Sequence, residues 1–459
     1  MKRFSLLLVS LLLTASMFAG QAKYVFYFIG DGMGLAQVIN TEYYLNQRNG
    51  ELGITPLCFA SFPYTGFITT YSANSDVTDS SAAGTALATG HKTNNGVMGQ
   101  LPDGTPVYSV ATWAKAAGRR VGITTSVGIN HATPAAFYAH RPSRNDYYEI
   151  GVQLAESGFD FFGSGDFINA APEDETPLYD VAEENGYVIA RGKADYEGKK
   201  DAQKMILFFD RPTSGSLPLA LDAKEGELNQ KEMTECAIDY LMKKNNKGFF
   251  LMVEGGEIDH AGHSNDAATN IHEVLAMDEA VKVAFEFYKK HKNETLIVIT
   301  ADHETGGLSL NGSSVGRLAN QKHSMQGFSA VLNNLRHEKQ DKVSWEDVKA
   351  ALEENFGFWK TVALSHDDEM ALYDEWYHSF ASNKEVKMAE SLYFRDEPLS
   401  ALACRIIDSK AGLGWAGGGH SGIAVPVYAI GVGAEQFTGQ FDNTEICKKI
   451  AKAAGYKVQ

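Results

Sequence analysis

Five short apolar runs, separated by longer stretches of helical pattern, limit what this chain can fold into more than any other feature of its sequence. The runs cover residues 24–29, 120–125, 249–253, 295–300 and 425–432. Each has the continuous apolar character of a parallel strand buried on both faces of a sheet. Helical patterns lie between them at 110–117, 147–156, 230–244 and 267–291. Because strands and helices alternate, we predict an α/β fold, with a doubly wound, mostly parallel central sheet flanked by helices.

Residues of the types that bind metals follow or end four of these five runs. In open α/β sheets, ligands bind at the carboxyl ends of the strands. We therefore expect these side chains to meet at one edge of the sheet. In chain order they are Asp31, His131, Thr133, Glu254, Asp302 and His303.

We interpret residues 309–414 as a helical insertion packed beside the sheet. The segment is charged, and its clearest patterns are helical, at 345–355 and 366–380. It contains no run as strand-like as the five above. It could cover a binding site or extend a subunit interface, and the sequence does not choose between these roles.

The first 22 residues predict an export signal. Two basic residues precede an apolar run at 6–13, and small residues follow, with cleavage expected after Ala19 or Ala22. A membrane anchor is the alternative, but the run is shorter than the roughly 20 residues that span a bilayer. We therefore expect a mature chain of residues 23–459, periplasmic or extracellular, with no membrane anchor.

Export would permit disulfides between the four cysteines. They are far apart in the sequence, and no two of them form a CxxC pair of the kind that binds zinc. Three full pairings, or free buried thiols, all remain open. The cysteines are Cys58, Cys236, Cys404 and Cys447.

Ser80 begins a helix-compatible run of small residues. The start of a helix offers free backbone N–H groups and the positive end of the helix dipole, which suit an anion. Small residues let such a helix pack closely and leave the serine accessible. Taken alone, the same pattern also fits an ordinary helix cap followed by alanine packing.

Three further patterns carry metal-ligand types. Asp259 and His263 are four apart, so a helical turn places both on one face, as in half of a zinc site. Asp302 and His303 are adjacent at the end of a strand. His420 lies in a glycine-rich loop. A solvated helix start and glycine packing around a buried histidine are the alternatives for the first and last patterns.

Taken in order, these segments resemble the alkaline phosphatase family. The resemblance covers most of residues 23–450, except 309–414. It implies an exported enzyme that hydrolyses phosphate monoesters through a phosphoserine on Ser80, and it implies a homodimer. The segments that carry it are 28–34, 78–80, 131–136, 253–255, 259–263, 300–303 and 419–420.

The resemblance also implies three metal sites. Imidazole and carboxylate ligands suit zinc, whereas an all-oxygen set suits magnesium. One zinc would be held by Asp259, His263 and His420. A second zinc, close to Ser80, would be held by Asp31, Asp302 and His303. A magnesium would be held by Asp31, Thr133 and Glu254.

Arg144 matches the arginine with which the family clamps phosphate, and a planar guanidinium can grip two phosphate oxygens at once. His131 and His260 stand at positions that vary within the family, and we expect both to lie behind the ligands. Because a histidine at 131 leaves the third metal site less acidic than an aspartate would, that site could hold zinc instead of magnesium.

The net charge of -16 argues against nucleic acid or an anionic membrane as partner. Bound metal would supply the positive charge that a phosphate substrate requires. A phosphodiesterase of the same superfamily is the alternative function, although Arg144 argues against it because a diester has one fewer charged oxygen to clamp. A non-catalytic protein that binds metal or phosphate is a second alternative, and it would have no need of Ser80.

Overall fold

The computed structural model describes residues 20–243, 246–382 and 385–459. The predicted export signal at 1–22 lies almost entirely outside the described residues, as does residue 244 of the predicted helix at 230–244. No helix among the described residues is long and apolar enough to cross a membrane.

The described residues form sixteen strands and fifteen α-helices. The strands are β1 Tyr24–Gly30, β2 Tyr64–Thr69, β3 Arg120–Thr125, β4 Phe161–Ser164, β5 Tyr187–Arg191, β6 Lys204–Phe208, β7 Phe249–Gly255, β8 Thr295–Ala301, β9 Glu304–Thr305, β10 Ser309–Leu310, β11 Ala389–Glu390, β12 Arg395–Asp396, β13 Leu413–Gly414, β14 His420–Ser421, β15 Val425–Gly431 and β16 Gly439–Asp442. The helices are α1 Leu35–Gln47, α2 Ser80–Thr89, α3 Val110–Ala116, α4 Ala132–Ala135, α5 Tyr147–Glu156, α6 Leu178–Glu184, α7 Gly192–Lys199, α8 Gln230–Met242, α9 Glu257–Ser264, α10 Ala267–Lys290, α11 Met325–Glu338, α12 Trp345–Phe356, α13 His366–Trp376, α14 Pro398–Ala411 and α15 Ile446–Ala454.

A ten-stranded sheet forms the centre of the protein, with strand order β16-β2-β15-β8-β1-β7-β3-β4-β6-β5. Its middle strands β8, β1, β7 and β3 are parallel and pair without a break in register. Helices cover both faces of the sheet. The adjacent residues Phe26 and Tyr27 of β1 point to opposite faces, and each contacts a helix. Phe26 packs on Phe287 of α10, and the Tyr27 hydroxyl donates to the backbone of Leu87 in α2. The predicted α/β class and flanked central sheet are thus confirmed.

The predicted direction of one strand is wrong. The run at 425–432 was expected to be parallel, but β15 is antiparallel to both β8 and β2. The preceding strand β14 pairs with β9 at the edge where β8 ends, and only residues 422–424 connect it to β15. A parallel strand would need a crossover of a dozen or more residues. So short a connection leaves β15 only the opposite direction.

The 309–414 segment builds most of a second apolar core, around Phe328, Phe356 and Leu399, and Tyr44 and Ile271 from outside the segment also belong to it. The two helices predicted there are present as α12 and α13, although α13 ends at Trp376 and a single wider turn follows. Asp222 links the segment to the rest of the protein by accepting hydrogen bonds from the residues that precede α11.

The question of cysteine pairing has a simple answer in the structure. All four cysteines are free thiols; Cys58 is half-buried and the other three are buried. Burial raises the pKa of Cys58 to about 11 and the pKa of Cys236 to about 12, so both are held as neutral thiols.

Candidate active site

The carboxyl edge of the middle strands carries the candidate site. Ile29 of β1 is in register with Glu254 of β7 on one side and with Thr300 of β8 on the other. Asp31 therefore emerges beside Glu254, and its backbone N–H donates to Gly255 at 3.1 Å. Asp302 emerges on the other flank, directly after β8. The register of the sheet thus places three carboxylates side by side.

Ser80 is the first residue of α2. Asp79 is the extended residue that caps this helix, and its carboxylate accepts from the backbone N–H of Ala82 at 3.0 Å. The Ser80 hydroxyl is buried and lies 3.2 Å from Nε2 of His303. The structure therefore joins the helix start to the strand-end cluster, which the sequence around Ser80 alone does not show.

Asp259, His263 and His420 form the first candidate metal group, with their ligand atoms within 4.8 Å of one another. Nε2 of His263 lies 3.2 Å from Asp259 and 3.1 Å from Nε2 of His420. Both rings have Nδ1 against a backbone carbonyl, that of Gly418 for His263 and that of Thr78 for His420. In the neutral rings, those contacts fix Nδ1 as the donor and leave the Nε2 lone pairs facing the cavity, the arrangement that a metal-binding histidine requires.

Asp31, Asp302 and His303 form the second group, and all three are fully buried. Nε2 of His303 lies 3.4 Å from Asp31 and 3.3 Å from Asp302. One oxygen of Asp302 accepts from the backbone N–H groups of Gly32 and His303 itself. The carboxylate is therefore fixed by the turn that follows β1 as well as by its own strand.

Asp31, His131 and Glu254 form the third group. Thr133, which was predicted as a ligand here, is beside the same carboxylates, with Oγ1 3.4 Å from Asp31. His131 was expected behind the ligands, but its ring lies among them. Glu254 also accepts a short hydrogen bond from the Thr125 hydroxyl of the neighbouring strand, a contact that the sequence analysis did not predict.

Burial shifts the pKa values of the carboxyl groups in this cluster. Burial and then repulsion from Asp302 raise the pKa of Asp31 well above its ordinary value. Burial also raises the pKa of Glu254 to about 8 and that of Asp302 to about 7. Burial acts on Asp259 in the same direction, but neighbouring histidines, His263 first, hold its pKa well below the usual range. Neighbouring histidines thus stabilise Asp259 as an anion, whereas the other three carboxyl groups need positive charge beside them to lose their protons near neutral pH.

The donor set fits metal ions. Four carboxylates each have one buried oxygen with no hydrogen-bond donor among the described residues. Leaving such acceptors unpaired in the interior costs stability, and a divalent cation removes that cost. All three groups combine imidazole and carboxylate, which suits zinc. Beside the third group, the Thr133 hydroxyl adds an oxygen, so Asp31, Thr133 and Glu254 also offer an all-oxygen set that suits magnesium. The four oxygens are Asp31 Oδ1, Glu254 Oε1, Asp259 Oδ2 and Asp302 Oδ2.

Arg144 reaches the same cavity from the loop before α5. Its Nη1 donates to Asp79 at 3.2 Å. Its Nη2 lies 3.2 Å from Nε2 of His131, and since a guanidinium can only donate, that nitrogen accepts. Burial, and then Arg144 itself, holds the pKa of His131 well below its usual value, in agreement with a neutral ring.

Tyr393, which lies in the 309–414 segment, is a further residue of the site that the sequence did not predict. Arg144 donates to its hydroxyl at 3.3 Å, and its ring lies over His260 with centroids 3.7 Å apart. His260 in turn contacts Glu257 through Nδ1 at 3.0 Å. No spacing or motif around residue 393 distinguishes this tyrosine from the other aromatic residues of the segment, so only the folded chain shows its place.

All the residues predicted for the site therefore lie in one cavity at the sheet edge. Ser80 lies beside the second metal group, and His131 belongs to the third. Arg144 and His260 both contact His131. The arrangement combines a hydroxyl at a helix start, a guanidinium and three places for cations. Such a set can bind an oxyanion and transfer it to the hydroxyl.

Comparisons with known proteins identify the family of this chain. A family model described as alkaline phosphatase matches residues 22–163 and 172–456. The match includes the 309–414 segment, which carried none of the sequence motifs. Alkaline phosphatase 4 of Bacillus subtilis is 34% identical over 445 residues, which cover 94% of this chain and 88% of that protein. Alkaline phosphatase 3 of the same bacterium is 32% identical over 453 residues, covering 96% and 90%.

Solved structures show the same relationship. A cold-active alkaline phosphatase from a psychrophilic Shewanella matches with a TM-score of 0.77 and 28% identity, over 94% of this chain and 99% of that one. The alkaline phosphatase of Thermus thermophilus matches with a TM-score of 0.77 and 27% identity, over 96% and 92%. The chain therefore belongs to the alkaline phosphatase family of phosphoric monoester hydrolases.

Proposed function

We propose that this protein is an exported phosphatase that hydrolyses small phosphate monoesters through a phosphoserine on Ser80. The observation that carries the proposal is the position of the Ser80 hydroxyl at the start of α2, 3.2 Å from His303 and beside the buried carboxylates. A helix cap would satisfy the backbone without facing a cluster of metal-ligand types. Asp79 provides the cap here, so Ser80 is left for chemistry.

Two zinc ions and one magnesium ion fit the three groups. Asp259, His263 and His420 would hold one zinc, and Asp31, Asp302 and His303 the other. Asp31, Thr133 and Glu254 would hold magnesium. Zinc could take that site instead if Nε2 of His131 exchanged its contact with Arg144 for the metal. A mutant of the related TAB5 alkaline phosphatase, 26% identical, has magnesium bound in its M3 site. Bound zinc supplies Lewis acidity and lowers the pKa of a coordinated hydroxyl or water.

In the proposed reaction, the Ser80 hydroxyl oxygen attacks phosphorus as the bond to the ester oxygen breaks, and the alcohol leaves. Water then cleaves the phosphoserine, which releases inorganic phosphate and restores Ser80. Backbone N–H groups at the start of α2 and the Arg144 guanidinium face the oxygens on which negative charge collects. The neutral ring of His131 holds Arg144 without competing for the phosphate.

Arg144 also supports monoesters over diesters as substrates. Three of its five N–H groups contact Asp79, His131 and Tyr393, and no other partner is recorded for it among the residues described. The donors left are Nε–H and the second hydrogen of Nη1, which lie on different edges of the guanidinium and can each donate to one phosphate oxygen. A monoester has one more charged oxygen to offer than a diester. Export, the homodimer and the lack of nucleic-acid or membrane partners remain predictions from the sequence.

A metal-reconstituted assay tests this function. The stripped protein is loaded with zinc and magnesium separately and together, and hydrolysis of an aryl phosphate monoester is compared with that of the bis-aryl diester. We expect the monoester to be preferred and both metals to be needed for full activity. Faster hydrolysis of the diester would favour the phosphodiesterase alternative. Tight phosphate binding without turnover would favour a non-catalytic binding protein.

Substitution of Ser80 tests the nucleophile. Ser80→Ala should lower kcat by about 10³-fold or more and should abolish the phosphoserine, which mass spectrometry detects after an acid quench. Ser81→Ala, at the next position of the same helix, leaves the nucleophile in place and should still form it. A Ser80→Ala protein that holds its metals and keeps high turnover would contradict the assignment.

A further inference from the structure

A short hairpin in the 309–414 segment reaches the candidate site. Strands β11 and β12 pair antiparallel, and the backbone N–H of Ser391 donates to Phe394 at 3.0 Å across the turn. The two residues at the tip face opposite ways: Leu392 is 62% exposed, whereas Tyr393 points inward over the cavity. The inward direction of Tyr393 is therefore a property of the hairpin turn.

The hairpin is fixed at its base and at its turn. Asp396, at the end of β12, is buried and accepts from Ser329 and Gln326 of α11, each at 3.2 Å. Ser391 contacts Ser264 at 3.4 Å, at the end of α9. Helix α9 is the one that carries Asp259 and His263. The tip is thus held at a defined distance from the candidate metal ligands.

The Tyr393 side chain joins two parts of the site. Its ring lies over His260 with centroids 3.7 Å apart and an angle of 33° between the ring planes. It meets the rings of His131 at 5.8 Å and His263 at 5.4 Å in edge-on contacts. Its hydroxyl accepts from Nη2 of Arg144 at 3.3 Å. Contacts with three histidine rings leave the hydroxyl little freedom, so the position of the oxygen is set before any ligand binds.

We propose that Tyr393 is a positioning residue for Arg144 and that the hairpin exists in part to deliver it. Arginine has many rotamers, and ordering it on phosphate binding costs free energy. Asp79 fixes Nη1 and His131 fixes one hydrogen of Nη2, and Tyr393 fixes the other. The guanidinium plane is then set, and Nε–H and the second hydrogen of Nη1 stay available as single donors to phosphate oxygens. This inference rests on the proposed role of Arg144.

Tyr393→Phe tests the inference, because it keeps the ring that lies over His260 and removes only the hydroxyl. In the zinc- and magnesium-loaded protein, we expect the Kd for inorganic phosphate, measured by calorimetry, and KM for an aryl phosphate to rise about 3- to 10-fold. The kcat should change less than about 2-fold, because Arg144 is still present in this variant and still binds the phosphate in the transition state. In an Arg144→Ala background, Tyr393→Phe should have no further effect on either constant.

Tyr373→Phe is the matched control, since Tyr373 lies in the same segment, is 40% exposed and packs on Trp345 and Trp376 away from the site. It should leave Kd and KM unchanged. An unchanged phosphate Kd in Tyr393→Phe, or an equal loss with and without Arg144, would overturn the inference. If Arg144→Ala itself binds phosphate as tightly as the unmodified protein, the proposed role of Arg144 fails instead, so the two failures are distinguishable.

Discussion

At the scale of single residues, Glu273 is a buried carboxyl group that the proposed chemistry does not use. It lies in α10 and accepts from the backbone N–H of Ala220 at 2.6 Å. Burial, and then repulsion from Glu257, raises its pKa from 4.5 to about 8. In the folded protein it therefore keeps its proton to a higher pH than it does in the unfolded chain.

The raised pKa of Glu273 predicts a loss of stability with rising pH. Below pH 4.5 both states hold the proton and the group contributes nothing. Between pH 4.5 and about 8 the unfolded chain releases the proton first, so the free energy of unfolding falls, and above about 8 the loss is complete. Glu273→Gln keeps a neutral side chain, so its stability advantage should grow to about 5 kcal/mol by pH 9.

Urea unfolding at pH 5, 7 and 9 with metals saturating measures this difference. Glu286→Gln, on the same helix at a side chain 62% exposed, should change the free energy of unfolding by less than ~0.5 kcal/mol at each pH. An advantage of Glu273→Gln that stays constant with pH would show that Glu273 ionises normally in the folded protein.

At the scale of elements, the placement of Arg144 depends on a two-stranded loop pairing. Met98 and Arg141 exchange backbone hydrogen bonds at 2.9 and 2.8 Å, and the N–H of Arg144 donates to Gly96 at 2.8 Å. Gly99 makes this pairing possible. Its φ is +61°, and a Cβ at this position would lie 2.0 Å from the carbonyl oxygen of Ala139.

Gly99→Ala should therefore push the two loops apart. We expect it to lower the free energy of unfolding by about 2–4 kcal/mol, because the clash is with backbone and the φ is strained as well. It should also raise KM for a phosphate monoester, because Arg144 moves with its loop. Thermal unfolding and steady-state kinetics measure the two effects.

Gly96→Ala is the matched control within the same pairing. Gly96 also has a positive φ, +87°, but a Cβ there would meet nothing within 4 Å. It should cost only the backbone strain, about 1 kcal/mol, with KM close to that of the unmodified protein. If the two alanine variants behave alike, the clash with Ala139 does not determine the position of Arg144.

The middle of the sheet could be predicted from the sequence and its flanks could not. Strands β1, β3, β7 and β8 are buried along almost their full length, so their composition is continuously apolar. Strand β2 alternates between buried and exposed residues and contains a glycine, and β4 has only four residues, so neither has a distinct pattern. Strands β5, β6 and β16 were not predicted either. The direction of β15 was predicted wrongly, because an apolar run does not show whether a strand is parallel or antiparallel to its neighbours.

The candidate site divides in the same way. Asp31, Glu254 and Asp302 could be predicted because each is fixed by the end of a buried strand, and Asp259 and His263 because they share one turn of α9. Tyr393 could not be predicted. Its position depends on how the 309–414 segment packs against the rest of the protein, and on which way the two residues at the hairpin tip point. Sequence patterns thus predicted the residues held by local structure, and they missed the one held by tertiary contacts.

At the scale of the whole molecule, the cavity draws its side chains from positions between residues 31 and 420. The sheet supplies Asp31, Glu254 and Asp302, the glycine-rich loop supplies His420, and the 309–414 segment closes over them through Tyr393. The metal ions we propose would therefore link elements that are far apart in the chain. Their binding free energy would then be part of the folding free energy.

Removal of the metals should consequently reduce both stability and activity. After chelation, Asp31, Glu254 and Asp302 take up protons in place of the cations, as their raised pKa values require, and the buried oxygens lose the metal that would join these elements. The Nε2 atoms of His263 and His420 are then left 3.1 Å apart. We expect the melting temperature to fall by about 10 °C or more and monoester hydrolysis to cease, with zinc and magnesium together restoring both. Calorimetry and elemental analysis of the same samples measure the change. Chelator already saturated with zinc is the control for effects of the chelator itself, and a metal-free protein with an unaltered melting temperature would show that the cluster is stable without cations.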